Sequence, residues 1–231
     1  MDTANMQSMN TAKMSLDTVT ILIADDHDIV RSGLSRMLGS VSGFAVVAEV
    51  GSGEEALDQA ALLQPGVVLM DVRMPGIGGI EATSRMLRRA PESRVIALTA
   101  CADDPFPARL LEAGAYGFVT KDTAFDELVT AIRTVHNGGH YVCRRIAQEL
   151  ALKPLRRKQG ATGSPFDDLS ERELQVALMI VGCRNVQDIS DHLNVSPKTV
   201  NTYRYRMFEK LGVDSDVALT LLALRHKLFE P

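Results

Sequence analysis

Val67-Val-Leu-Met-Asp71-Val-Arg73-Met-Pro-Gly76 is an apolar run of strand length that ends in an acid and breaks at proline and glycine. An unbroken apolar run of this kind is the form of a strand buried on both faces, which occurs in parallel sheets covered by helices. The unit recurs on either side of it. Strands are expected at Val19 to Ala24, Phe44 to Glu49, Val67 to Met70, Arg94 to Leu98 and Gly117 to Val119. Between them, helices are expected at His27 to Leu38, Gly53 to Leu63, Gly79 to Arg89, Pro107 to Glu112 and Phe125 to His136. This alternation predicts an α/β domain, a doubly wound five-stranded parallel sheet, over residues 18–138. Gly39, Gly66, Gly114 and Gly138 stand where helices end and a left-handed residue is wanted, and Thr123 with Asp126 resembles a capping pair. The run Asp103-Asp-Pro105-Phe-Pro107 should delay and shorten the fourth helix, because proline has no N–H for the helix ladder.

Ligands of an open parallel sheet bind outside the carboxyl ends of its strands. That edge receives Asp25 and Asp26 after the first strand, Asp71 after the third, Thr99 at the end of the fourth and Lys121 just beyond the fifth. Three carboxylates in one pocket repel one another unless a cation joins them, and hard oxygen ligands with open positions suit Mg²⁺. The set matches phosphoryl transfer to a carboxylate. Asp71 is the expected nucleophile, Lys121 and Mg²⁺ neutralise charge on the phosphoryl oxygens, and Thr99 donates a hydrogen bond. Asp25 and Asp26 could instead merely cap the helix starting near His27, but that leaves Lys121 without a role.

Beyond residue 138 the periodicity weakens, and residues 139–166, basic and Gly-containing around Lys153 to Pro165, are expected to form a linker. Residues 167–231 then carry only helical patterns. Ser170 and Glu173 make a capping box before Leu174 to Val181, Val186 to Leu193 forms a short helix, Ser196-Pro197 opens a third helix that Gly212 stops near Leu211, and a fourth runs from Ser215 or Asp216 to Lys227. At 100° per residue the third helix gathers Val200, Met207 and Leu211 on one stripe and Lys198, Asn201, Thr202 and Tyr205 opposite, flanked by Arg206 and Lys210, with Arg204 near the other edge. A helix with a core stripe opposite a polar, aromatic and basic stripe is suited to the major groove of DNA. Glu209 lies on the same face and would repel phosphates.

Composition narrows the function classes. A net charge of -4 argues against nucleic-acid binding by the whole surface and leaves room for a local basic stripe. No apolar run reaches the length of a membrane span, so no membrane partner and a cytoplasmic location are expected. Cys101, Cys143 and Cys183 are too widely spaced for a disulfide framework or zinc site and are read as reduced thiols. Residues 1–17 are polar and aperiodic, an expected disordered N-terminal extension, and Met6, Met9 and Met14 leave the translation start open.

The motifs Ala-Asp25-Asp26-His, Met-Asp71-Val-Arg73-Met-Pro-Gly, Leu-Thr99-Ala and Phe118-Val-Thr-Lys121 resemble those of the receiver domains of two-component response regulators, over about Val19 to Asn137. The resemblance implies a flavodoxin-like fold of strand order 2-1-3-4-5 and phosphorylation of Asp71 by a sensor histidine kinase. It also implies a metal site of Asp25, Asp26, Asp71 and the Arg73 main-chain carbonyl, and a joint movement of Thr99 and Phe118. Many receivers have proline after the lysine, whereas Asp122 follows Lys121 here. Residues from about Asp168 to Leu228 resemble the LuxR-type helix-turn-helix of NarL/FixJ-family regulators. Leu169-Ser-Glu-Arg-Glu-Leu174 and Ser196-Pro-Lys-Thr-Val-Asn-Thr-Tyr-Arg-Tyr-Arg-Met207 are closest to the GacA/UvrY/SirA branch. That implies a GacS/BarA-like hybrid kinase or its phosphotransfer domain as donor. It further implies double-stranded promoter DNA of small RNAs that sequester a CsrA/RsmA-type repressor, and a homodimer formed through Val217 to Arg225 on phosphorylation. Enzymatic activity is then limited to Mg²⁺-dependent self-phosphorylation and dephosphorylation on Asp71.

Two other readings compete. A haloacid dehalogenase-like phosphohydrolase also uses an aspartyl nucleophile, but places it after the first strand in a DxD pattern and needs a cap. The C-terminal helices could instead be a protein-binding module, which salt-dependent DNA binding would exclude. In the unphosphorylated protein the output face of the receiver, or one nearby, could cover the recognition helix and release it on phosphorylation; whether the inactive form is closed is left open by the sequence.

Overall fold

The computed structural model describes residues 18–99, 106–148, 151 and 164–226. The expected N-terminal extension, Cys101, Asp103 to Pro105 and most of the Lys153 to Pro165 segment lie outside them. In chain order the first domain contains β1 (Val19–Ala24), α1 (Asp28–Gly39), β2 (Phe44–Val50), α2 (Gly53–Leu63), β3 (Val67–Asp71), α3 (Gly78–Arg89), β4 (Arg94–Thr99), α4 (Phe106–Glu112), β5 (Gly117–Thr120), α5 (Phe125–His136) and β6 (Tyr141–Val142).

The strands run parallel in the order β2-β1-β3-β4-β5-β6. Every residue of β3 is buried, as the unbroken apolar run requires. Alternate side chains serve opposite faces. Ile21, Ile23, Leu69, Ile96 and Leu98 pack against Leu38 of α1 and Leu128, Ile132 and Val135 of α5. Leu22, Val68, Met70 and Val95 pack against Ala56, Leu57 and Ala60 of α2 and Ala82 and Met86 of α3. Each fully buried aliphatic side chain of this kind contributes about 1.5–3 kcal/mol.

Four details differ from the sequence expectation. A sixth strand, β6, pairs with Gly117 and Phe118 of β5, and Tyr141 anchors it by donating its hydroxyl to Glu127 Oε1 at 2.9 Å. Residues 139–142, expected in the linker, are therefore attached to the sheet; two residues are too few to show an alternating pattern. Gly114 and Gly138 take left-handed φ, but Gly39 and Gly66 do not: right-handed Ser40 ends α1 and left-handed Gln64 ends α2. Thr123 does not cap α5: Ala124 is the N-cap residue, and the Thr123 hydroxyl pairs with that of Thr120 at 2.9 Å. The fourth helix is short, as the prolines demand, and begins at Phe106.

The second domain comprises a 3₁₀ turn (Pro165–Asp168), α6 (Glu171–Val181), α7 (Val186–Leu193), α8 (Pro197–Leu211) and α9 (Asp216–Arg225). Each helix starts on a side-chain cap, from Ser170, Asn185, Ser196 and Ser215, with a complete capping box at Ser170 and Glu173. Such caps are worth about 1 kcal/mol each. Its core includes Phe166, Leu174, Ile189, Val200, Met207 and Leu219. That core is continuous with a patch of the first domain formed by Val72, Ile80, Leu110, Phe118 and Ile146.

Candidate functional site

The carboxyl ends of β1, β3 and β5 bring the expected acidic site together. Ligand atoms of Asp25, Asp26, His27 and Asp71 lie within 4.8 Å of one another. Lys121 Nζ sits 2.7 Å from Asp25 Oδ2 and 3.0 Å from Asp71 Oδ2. The other oxygen of Asp25 accepts the His27 N–H at 2.9 Å, so this acid both shapes the start of α1 and faces the lysine. Asp25 and Asp71 are buried. Asp26 Oδ1, also withdrawn from solvent, faces the His27 ring at 3.0 Å. None of Asp25 Oδ2, Asp26 Oδ1 and Asp71 Oδ2 makes a well-aligned hydrogen bond. Buried carboxylate oxygens left in this state fit a divalent cation.

The electrostatics agree with that fit. Burial, reinforced by Asp25 and opposed by Lys121, pushes the Asp71 carboxyl up from 3.8 to about 6. Burial works to lower the Lys121 pKa, and the Asp71 and Asp25 carboxylates more than offset it. Lys121 therefore stays charged where a phosphoryl group would need it. Thr99 is buried at the end of β4 and paired with Thr120 of β5, and its carbonyl accepts the Lys121 N–H at 2.7 Å. Phe118 is fully buried, in the patch continuous with the second domain.

The loop after Asp71 is held tightly. The Arg73 N–H points at Asp71 Oδ1 from 3.3 Å, and the Gly79 N–H donates to the Val72 carbonyl at 3.1 Å. A Cβ on Gly79 would lie 2.0 Å from the Asp71 carbonyl oxygen, so α3 can begin this close to Asp71 only at a glycine. Gly76 and Gly78 take left-handed φ of 71°. Glu54 on α2 supports the loop by accepting the Ile77 N–H at 3.0 Å. Neither Glu54 nor Gly79 stood out in the sequence. A glycine pair at the start of a helix, where it costs stability relative to alanine, was the signal that could have found Gly79.

In the second domain α8 presents the expected stripe. Val200 and Met207 are buried, while Lys198, Asn201, Thr202, Tyr205 and Arg206 are exposed. Tyr205 is 73% exposed, unusual for an aromatic residue with no partner to meet. Arg204 and Lys210 are engaged inside the domain. Arg204 makes a two-pronged pair with Asp216, at 3.0 and 2.8 Å, and stacks over the Phe208 ring at 5.3 Å. Lys210 reaches Glu173 Oε2 at 2.7 Å and the Asp168 carbonyl at 3.2 Å. Glu209 is exposed beside them.

The first domain docks on α6, α7 and the 3₁₀ turn, leaving the polar stripe of α8 open. Arg109 of α4 donates to the carbonyls of Phe166 and Asp167 at 2.9 and 3.0 Å. Arg172 of α6 reaches Glu81 at 3.4 Å. Among the described residues the polar stripe of the recognition helix is therefore not covered: the receiver meets the output domain through the loop after Asp71 and through Arg109, at Phe166, Asp167, Arg172 and His192.

A model of the response regulator receiver domain matches residues 21–133, and a model of bacterial regulatory proteins of the luxR family matches residues 167–223. The chain is 57% identical over 212 residues to the response regulator GacA of Pseudomonas syringae pv. syringae (strain B728a), covering 92% of this chain and 98% of that protein. The chain belongs to the LuxR-type response regulators, in the branch of GacA and UvrY. The regulator is likewise 47% identical to the response regulator UvrY of Escherichia coli (strain K12), over 91% of its own length and 95% of UvrY. Among solved structures it resembles the complex of the response regulator RcsB with DNA, at 25% identity and a TM-score of 0.56, over 90% of this chain and 98% of that one. It is a DNA-binding response regulator, built of a receiver and a helical output domain. Among the described residues no helix is long and apolar enough to cross a membrane.

Proposed function

We propose that the regulator is switched by phosphorylation of Asp71 and then controls transcription from promoter DNA in the cytoplasm. The observation that carries this reading is the convergence of Asp25, Asp26, Asp71 and Lys121 at one strand edge, with buried carboxylate oxygens on three acids, two of them facing the Lys121 ammonium. Asp25, Asp26, Asp71 and the Arg73 carbonyl would hold Mg²⁺, which supplies charge neutralisation for the incoming phosphoryl group. Asp71 attacks phosphorus through a carboxylate oxygen, and the bond to the donor's leaving atom breaks. Lys121 moves from pairing two carboxylates to pairing the phosphoryl oxygens, and Thr99 donates its hydroxyl to them. Phe118 transmits the change because it is buried in the patch shared with the output domain. The donor is a sensor histidine kinase, of the GacS/BarA hybrid kind or its phosphotransfer domain. No other substrate is turned over.

Lys198, Asn201, Thr202, Tyr205 and Arg206 read DNA, with Lys198 and Arg206 on phosphates and the uncharged residues toward base edges. Arg204 and Lys210 act from behind this surface, through the Asp216 and Glu173 pairs that fix α8 against its neighbours. Val217, Leu221 and Leu224 form an exposed apolar stripe on α9, 70%, 52% and 41% exposed. A stripe at this spacing suits a two-fold dimer on a palindromic site. Promoters of small RNAs that sequester a CsrA/RsmA-type repressor are the proposed targets.

Phosphorylation is tested by incubating the full-length protein with a small phosphodonor. A mass gain of one phosphoryl group should require Mg²⁺ and vanish in Asp71→Ala. A gain that persists in Asp71→Ala would place the acceptor elsewhere.

A further inference from the structure

Gly76 has both of its peptide polar groups held by the DNA-binding domain. Its N–H donates to the His192 carbonyl at 2.9 Å, and its carbonyl accepts from Arg172 Nη1. The last carbonyls of a helix have no partner further along the chain. In α7 the Asn194 and Val195 N–H groups turn back to Asp191 and Ser190, and Gly76 supplies a donor for His192. The loop of the receiver is thereby joined to the turn of the helix-turn-helix. Arg172 is further held by Gln175 Oε1 at 3.1 Å and by Glu81. A Cβ on Gly78 would lie 2.0 Å from Gln175 Nε2, so the same domain also packs against the next glycine of the loop.

Elsewhere the contact is apolar, through the shared core, and is joined by Arg109 at the 3₁₀ turn. A cleft of about 90 Å³ separates the domains beside Asp71, between Val72, Met74 and Ile80 on one side and Leu178, Met179 and Leu193 on the other. Glu171 is set against Glu81, and burial followed by this like charge raises its pKa. Arg109 and Arg172 oppose that rise, and Arg172 also pairs with Glu81 at 3.4 Å. The two main-chain hydrogen bonds at Gly76 are the polar ties of the loop to the output domain at this cleft.

We infer that Arg172, acting with the His192 carbonyl, is a positioning residue for the phosphoacceptor loop, so that rearrangement of residues 72–78 around Asp71 and release of the DNA-binding domain are one transition. The loop from Asp71 to Gly79 is closed at both ends: Gly79 lies directly on the Asp71 carbonyl, and Glu54 fixes Ile77 beside Gly76. A group bound at Asp71 that moves this loop must pull Gly76 from its two partners. Linkage makes the effect reciprocal, so a weakened clasp must raise affinity for the phosphorylated shape of the loop. The recognition stripe of α8 is already open, which means that phosphorylation frees the domain to move and pair without having to uncover its base-reading face.

The inference rests on Asp71 being the phosphoacceptor, and the experiment separates the two. Mg²⁺ with beryllium fluoride, a phosphoryl analogue, is titrated into full-length wild type, Arg172→Ala and Arg172→Lys, and backbone hydrogen exchange is followed in residues 72–78 and 188–196. Wild type should bind the analogue with faster exchange in 188–196 as well as a changed loop. Arg172→Ala should show that faster exchange before any analogue is added and should bind it roughly tenfold more tightly, the scale set by one hydrogen bond to a charged group. Arg172→Lys should fall between. An adduct in wild type that leaves exchange in 188–196 unchanged overturns the inference alone, whatever the variants do. Absence of an adduct in wild type overturns the phosphoacceptor reading, and this inference with it.

Discussion

Replacing Asp71 by asparagine should stabilise the receiver. Asp71 is 2% exposed, and its carboxyl is pushed from 3.8 to about 6, chiefly by burial. Between those values the folded protein binds a proton that the unfolded chain has released, so stability falls as pH rises from 4 to 6 and the full penalty is present at pH 7. At about 1.4 kcal/mol for each factor of ten in proton affinity, the displacement corresponds to about 3 kcal/mol. The neutral amide removes that penalty at similar volume. The displacement is already net of the Lys121 attraction, so a gain of about 3 kcal/mol is expected. Urea unfolding with chelator present measures it at pH 7 and pH 5. Asp71→Asn should be the more stable protein at pH 7, and the gap should narrow at pH 5. Mg²⁺ should then raise the stability of wild type more than that of the variant, because it binds only a folded, ionised site. Equal stability at pH 7, or a gap unchanged at pH 5, would refute the reasoning.

Three further outcomes concern the output domain. Lys198→Ala and Arg206→Ala should each weaken promoter binding and reduce the slope of log affinity against log salt by about one, measured by fluorescence anisotropy across a salt series. Arg204→Ala breaks a two-pronged but half-exposed pair and should lower the melting stability of the domain by about 1 kcal/mol, with a smaller effect on the salt slope. Burial works to raise the Glu173 pKa, but Lys210 and the Ser170 hydrogen bonds outweigh it and the group lies below its usual range. Its contribution is present above pH 4.5 and lost as pH falls through the lower folded value, so acid unfolding of wild type should be steeper than that of Glu173→Gln.

The receiver was legible because its signal is local and repeated: runs such as Val67 to Met70 are buried on both faces and carry their acids at the same end. Asp25, Asp71 and Lys121 could be brought together from strand order alone, since a parallel sheet puts all carboxyl ends on one edge. The α8 stripe was equally readable from a 3.6-residue period. Contacts between segments distant in sequence were not. Arg172 reads as one more charge in a capping-box segment, and only the packed domains reveal that it meets Gly76. Arg204 and Lys210 carry the charge a DNA contact needs, yet their engagement depends on Asp216 and Glu173 lying within reach in space. The strand Tyr141–Val142 was missed because two residues show no periodicity.

Control of the output domain by the state of Asp71 is the step on which the proposed function turns. Its most direct test is the affinity of the full-length protein for promoter DNA with and without a small phosphodonor and Mg²⁺, beside Asp71→Ala. The phosphodonor should tighten binding by wild type and leave Asp71→Ala unchanged. Equal binding by both proteins under all conditions would leave the DNA-binding domain in place and contradict control by the receiver.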